Sequence, residues 1–419
     1  MSALQDPSRY HSLDALRGVM VLLGIYLHAA VAYSEYGNWP WKDGSTTRLF
    51  DVSLGLIHAF RMPVFYVMAG FFAALLLERR GAVGFARNRA IRILVPFAVG
   101  WAVLFPLVKL LAIAARSLEE PTAMPPQFFS VREVLGRLDP MHLWFLEYLL
   151  LFYAIALVAI PLSRRLPLLV VGIDRIFRAI MISPLGPCAL AVMTFPTLCL
   201  MRDAAIDDPS GFAPEGRIVI TYLTFFACGW LLWRNADVLS ELRRFPRAPI
   251  LLMVGVVGAL LGYSIWYWQH STGIHMLIGL LASAWFLALA MWLFIFGFIG
   301  IFLRLFERPI PWFRYLSDSS YWLYLVHMPV LLAFQIAVTE SGWTPAVKAA
   351  VVLGASVATL LWSYHVLVRS TWVGVILNGR KYPTSRQRAR APSADADKDD
   401  AEGSCGAERE SRAEPSTGR

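Results

Sequence analysis

The chain has 419 residues, of which 57% are hydrophobic and only 16% charged, with a mean hydropathy of +0.55. A soluble domain carries roughly 45–50% apolar and about 25% charged residues, so a soluble globular enzyme, a disordered chain and a secreted disulfide scaffold are disfavoured. The net charge of +9 reads as membrane topology rather than as nucleic-acid binding.

The fold class expected is all-α: a polytopic helical membrane bundle of about ten spans. Residues 1–12 are polar, and the apolar run that follows is long enough to cross a bilayer, which reads as a first span rather than a cleavable signal. Apolar segments then recur at 13–33, 51–77, 92–115, 142–162, 183–201, 217–233, 249–268, 276–303, 317–339 and 345–368. Each reaches or approaches the ~20 residues needed for the hydrocarbon core. Arginines cluster after every second span: Arg79, Arg80, Arg87, Arg89 and Arg92; Arg164, Arg165, Arg175 and Arg178; Arg234, Arg243, Arg244 and Arg247; Arg304, Arg308 and Arg314. The intervening loops are poor in basic residues or acidic, as at Asp203, Asp207 and Asp208. The positive-inside rule then places both termini in the cytoplasm and requires an even number of spans. A membrane domain over 13–370 would be followed by a cytoplasmic tail over 371–419. From Thr384 onward the chain has no Leu, Ile, Val, Met, Phe, Tyr or Trp and is expected to be disordered. Cys188, Cys199, Cys228 and Cys405 have no metal-type spacing, and no metal is called for. No internal repeat is visible, which weakly disfavours a secondary transporter.

Ionisable residues inside spans are costly and mark functional candidates. In the first span Arg17 and His28 are eleven residues apart, which puts them on one helical face about 16 Å apart along the axis. Asp14 is placed to pair with Arg17, and Gly24 lies on the same stripe. His58 and Arg61 share a face of the second span at i, i+3. Rise per residue puts His58 about 10–12 Å and Arg61 about 15 Å in from the outer end, with His28 about 22 Å from the cytoplasmic end, so the three can meet at one depth. An arginine so deep needs an anion, water or carbonyls; a fixed Arg–carboxylate pair within the bundle stays open as an alternative. Pro63 is expected to kink the helix next to Arg61. His142 and Trp144 open the fourth span, with Glu147 deeper, and Tyr324 and His327 share a face of the ninth. His365 sits near the cytoplasmic end of the tenth span and reads as structural, while His270 and His275 fall in a short outer loop. Four helices each bringing a His, Arg or Glu to the middle or outer half imply a polar cavity.

These motifs resemble membrane-bound acyltransferase family 3. The resemblance rests on Leu13-Asp14, Leu16-Arg17-Gly18 and His28, Ala69-Gly70-Phe71, the arginine cluster before the third span, His142 to Leu146, and Ser320 to His327. It spans about residues 9–370. The stretch His58 to Phe65 looks most like the branch that acts on periplasmic glucans, for which succinyl transfer is proposed; Ala69 departs from the Ser that many members carry. The resemblance implies a bacterial inner-membrane enzyme moving an acyl group from cytoplasmic acyl-CoA, with no further cofactor, to a hydroxyl of an extracytoplasmic glycan. His28 would be the base, since a neutral imidazole can accept the hydroxyl proton, and Arg17 and Asp14 would complete the catalytic set by orienting the donor. Arg61 would hold a succinyl carboxylate, and Arg87, Arg89 and Arg92 the CoA phosphates. His58, His142, Trp144, Glu147, Tyr324 and His327 would line the acceptor side. A transporter or flippase of a glycan or lipid-linked intermediate is the rival reading, because it too needs buried charge.

Overall fold

A computed structural model describes residues 10–37, 39–119, 138–202, 206–209, 211–244, 247–268, 274–308 and 310–382. The polar residues before Tyr10, Asp203, His270 and the tail expected from 384 lie outside them. The chain divides into two units, Met1–Tyr364 and His365–Arg419.

No strand occurs among the described residues. The first unit holds α1 (His11–Ala30), α2 (Arg48–Arg89), α3 (Val95–Glu119), α4 (Trp144–Arg165), α5 (Pro167–Ile182), α6 (Gly186–Leu198), α7 (Gly216–Arg234), α8 (Val238–Arg244), α9 (Ala248–Trp268), α10 (Ile274–Leu305), α11 (Pro311–Ala337) and α12 (Pro345–Ser363). Apolar composition makes these segments helical, because only a helix satisfies its own backbone groups away from water. Proline at the first helical turn starts α5, α11 and α12, where its missing N–H costs nothing. In the second unit the short α13 (Trp372–Asn378) ends at Gly379, whose φ of 72° is the left-handed cap that glycine allows. There the Arg369 and Arg380 guanidinium groups lie over the Tyr382 ring.

Among the described residues, eight helical runs can cross a membrane by length and composition, or nine if α5 and α6, bent by 118°, count as one. One run, Arg48–Ala115, has 68 residues, about 100 Å at 1.5 Å per residue, over three times the hydrocarbon thickness. It is broken at Gly81, whose φ of 65° and ψ of 175° are not helical. Helical dihedrals continue through Pro63, and among the described residues of this run the non-helical position is Gly81. Packed neighbours let a membrane helix tolerate proline, whereas a positive φ needs glycine.

The contacts fix the directions. Gly18 abuts Leu316 and Gly24 abuts Arg61, while Tyr10 meets Phe71 edge-on; α1 therefore runs parallel to α11, where Gln335 reaches His28, and antiparallel to α2. The Tyr321 hydroxyl donates to the Arg92 carbonyl and Val108 packs on Met328 and Leu332, so α3 runs with α11 and opposite to α2. The 68-residue run is thus two passes. On α7, Tyr222, Gly229 and Trp233 follow Tyr66, Val67 and Glu78 of α2 in the same order. α6 runs opposite to α10, with Gly186 by Phe296 and Phe195 by Trp285. Taking α1, α2, α3, α4, α6, α7, α9, α10, α11 and α12 as alternating passes satisfies these directions and leaves α5 as a helix between passes. The most buried are α1 and α10. Apolar side chains such as Val103, Leu168, Met253 and Trp362 face outward, as a bilayer-facing surface requires.

Candidate functional site

The last turn of α1 carries His28 into a group of imidazoles. Its ring lies 5.2 Å from that of His327 on α11, and the His327 ring lies 4.9 Å from that of His142, which precedes α4. The groups near enough to act electrostatically on His28 are His327, Arg61, His142 and His58. The five side chains come from α1, α2, α11 and the turn before α4. Hydrogen bonds fix the outer members. His142 Nε2 lies 3.0 Å from the Leu325 carbonyl, His327 Nδ1 lies 2.7 Å from the Tyr324 carbonyl, and the Tyr324 hydroxyl donates to the His142 carbonyl at 2.7 Å. The Nδ1 atoms of His28 and His142 are buried without a partner among the described residues. Among the described residues no three His, Cys, Asp or Glu side chains are arranged to hold a metal ion.

The turn that presents His142 is itself held open. Met141 has a φ of 48°, a conformation that costs a non-glycine residue about 1–2 kcal/mol. Asp139 accepts from the Met141 N–H at 2.9 Å and from Lys109 Nζ of α3 at 3.0 Å, which holds this turn against α3.

Arg61 is the half-buried cation of the site. Its guanidinium occupies the notch at Gly24, where a Cβ would stand 2.3 Å from Nη1. Its Nε has no hydrogen-bond partner, and among the described residues no carboxylate forms an ion pair with it. Asp208, Tyr222 and Tyr324 are the groups that act on it at longer range. The fixed Arg–carboxylate pair left open by the sequence is therefore absent among the described residues. Gly24 is four residues from His28, so this free cation sits about 6 Å along α1 from the histidine, on the side of Arg17. Glu147, with Oε2 buried and unpartnered, is in neither set of neighbours. Trp144 packs on Tyr222, 5.5 Å between rings, and edge-on against Tyr148.

Arg17 lies at the other end of α1. It donates to the Ser317 carbonyl at 3.0 Å and to Ser317 Oγ at 2.7 Å, and pairs with Asp14 at 3.3 Å, so it ties α1 to the start of α11. Arg92 lies within electrostatic reach of Arg89, Arg80 and Arg17. Arg89 lies over the Phe85 and Tyr153 rings, and Arg87 is exposed and outside this set. A cleft beside Asp14 is lined by His11, Arg308, Phe313 and Arg314. The site thus has an arginine end and a histidine end, joined by one face of α1.

Two residues absent from the sequence reading touch His28 directly. Trp39 stacks on its ring with centroids 5.1 Å apart and planes 20° apart. Gln335 donates to its backbone carbonyl at 3.0 Å. Gln335 carried a usable signal, being a lone polar side chain in the apolar run Leu331 to Val338. Trp39 carried none, since tryptophan is common at the ends of spans.

The fold and these side chains define a multi-pass helical membrane protein with buried imidazoles gathered between its helices. A family model described as an acyltransferase domain matches residues 10–368, and the chain belongs to that family, as a membrane acyltransferase. It is similar to proteins named glucans biosynthesis protein C from Salmonella paratyphi B, Salmonella dublin and Salmonella choleraesuis. Each is 24% identical over 361 residues, covering 81% of this chain and 86% of the relative. No solved structure matches the chain.

Proposed function

We propose that the protein transfers an acyl group, succinyl in preference to acetyl, from acyl-CoA to a hydroxyl of a periplasmic glucan or similar extracytoplasmic glycan. The observation that carries this reading is His28, half-buried among other imidazoles, with the Arg61 guanidinium of α2 against the same face of α1 and no carboxylate paired with it among the described residues. In this scheme the bacterial inner membrane holds the protein with both termini in the cytoplasm, and the donor approaches from the arginine end. Arg17, Arg89 and Arg92 stand where CoA phosphates would be recognised by paired N–H donors. The ~16 Å from Arg17 to His28 along α1 is comparable to the reach of a pantetheine arm, which would bring the thioester to the histidine.

The acceptor hydroxyl attacks the thioester carbonyl as His28 takes its proton. The new carbon–oxygen bond forms, the carbon–sulfur bond breaks, and the proton passes to the departing CoA thiolate. A neutral imidazole suits both steps. Arg61, within about 6 Å of His28 along α1, would hold the far carboxylate of a four-carbon diacid. His58, His142, Tyr324 and His327 would face the acceptor. The glucan acceptor is supported by the names of the similar proteins alone.

The test is CoA thiol release by purified protein with succinyl-CoA or acetyl-CoA, with and without β-glucan oligosaccharides. Glucan-dependent release is expected, faster with succinyl-CoA, and His28→Ala should lower it by at least about a hundredfold. Release that His28→Ala leaves unchanged would remove the histidine from the mechanism. Glycan flux without thiol release would point instead to transport.

A further inference from the structure

We infer that Gln335 and Trp39 act together as positioning residues for His28, an inference that rests on His28 being the base. A catalytic histidine is usually oriented by a hydrogen bond to its second nitrogen. Here His28 Nδ1 is buried without a partner among the described residues, so the ring is oriented in some other way. Gln335 supplies one. It is fully buried on α11, and its Nε2 donates to the carbonyls of His28 at 3.0 Å and Ala29 at 3.2 Å. Its Oε1 accepts the Trp39 indole N–H at 2.9 Å. These partners settle the amide orientation, since a flipped group would set donor against donor at Trp39 and oxygen against oxygen at α1. The indole so held is the ring that stacks on the His28 imidazole. One amide therefore grips both the backbone of His28 and the plate lying on its side chain.

The position in α1 explains why an outside donor is needed. Just beyond Ala30 the helix tightens into a 3-10 turn over Val31–Tyr33, and carbonyls at such an end lose regular partners. The segment bearing Trp39 is in turn fixed rather than free. Lys42 Nζ bonds the Ser34 and Gly37 carbonyls, and Trp41 is buried in a cluster with Phe50 and Ala349.

The test uses full-length protein in detergent. Gln335→Met keeps the volume and removes every hydrogen bond; Trp39→Phe keeps one aromatic ring but removes the N–H together with the five-membered half of the indole. Each should lower kcat about ten- to hundredfold, because small misplacements of a reacting group are costly, with KM for donor and acceptor unchanged. The double variant should be no worse than the worse single, because the two residues form one network. Losses that multiply, or a raised KM with kcat intact, would overturn the inference. A second readout needs no turnover: carbethoxylation of His28 followed by mass spectrometry, with His275 as the reference. Both variants should change the His28 rate relative to His275, and an unchanged ratio would overturn the positioning role. If the wild-type protein transfers no acyl group, the proposed function fails on its own and the carbethoxylation comparison still decides this inference.

Discussion

Gly24 shows how much a single missing side chain can matter. A Cβ at this position would strike the Arg61 guanidinium at 2.3 Å. The obstructing atom is the end of a flexible side chain, so Gly24→Ala should fold and shift Arg61 instead. If Arg61 receives a succinyl carboxylate, Gly24→Ala should slow succinyl transfer by about tenfold or more and leave acetyl transfer nearly untouched. The ratio of the two rates for the purified variant is the measurement. Equal losses would detach Arg61 from acyl recognition. The deep histidines and Arg61 were legible in the sequence because charge inside a span is expensive and therefore rarely accidental. Trp39 was not, since an aromatic at a span end is ordinary, and Gln335 gave only the weaker signal of a neutral amide in an apolar run. Ser317 was equally hidden, because its part in holding Arg17 depends on α11 lying beside α1.

At the scale of elements, α2 and α7 meet through glycine on both sides. A Cβ on Gly70 would stand 1.9 Å from the Phe226 carbonyl oxygen, and one on Gly229 would stand 1.8 Å from that of Val67. Backbones this close pack by van der Waals contact between small residues, the main attraction available to helices in lipid. Here the obstacle is backbone, which cannot swing aside. Gly229→Ala should therefore cost about 1–3 kcal/mol through overpacking, seen as a lower thermal midpoint in detergent. An unchanged midpoint would mean that the helices separate freely. The expected spans matched the helices well where they were long and apolar. The break at Gly81 falls between the expected spans 51–77 and 92–115, and the direction of α3 against α2 shows that the chain has turned there.

At the scale of the whole molecule, a buried ion pair joins residues 305 positions apart. Lys348 near the start of α12 donates to both Asp43 oxygens at 3.0 and 2.9 Å and to the Thr339 carbonyl at 2.9 Å. Both side chains are nearly inaccessible, at 4% and 2% exposure. The pair clasps the segment that carries Trp39 onto α12. Removing one partner of such a pair strands the other, so Lys348→Met should cost about 3–5 kcal/mol. Adding Asp43→Asn should recover most of that loss, because no buried charge remains. Thermal unfolding of the two variants checks this; a double variant no more stable than the single would show that the charge itself is not what matters.

The sequence by itself determined the all-helical membrane class, most span positions and the ionisable residues worth attention. Those follow from the cost of placing polar groups in hydrocarbon, which each segment carries alone. Tertiary structure decided which of these residues meet. Among the described residues it left Arg61 without a carboxylate, tied Arg17 to Ser317, and set Gln335 and Trp39 on His28. Such contacts depend on which helices are neighbours and on how they are directed, and no single segment holds that information.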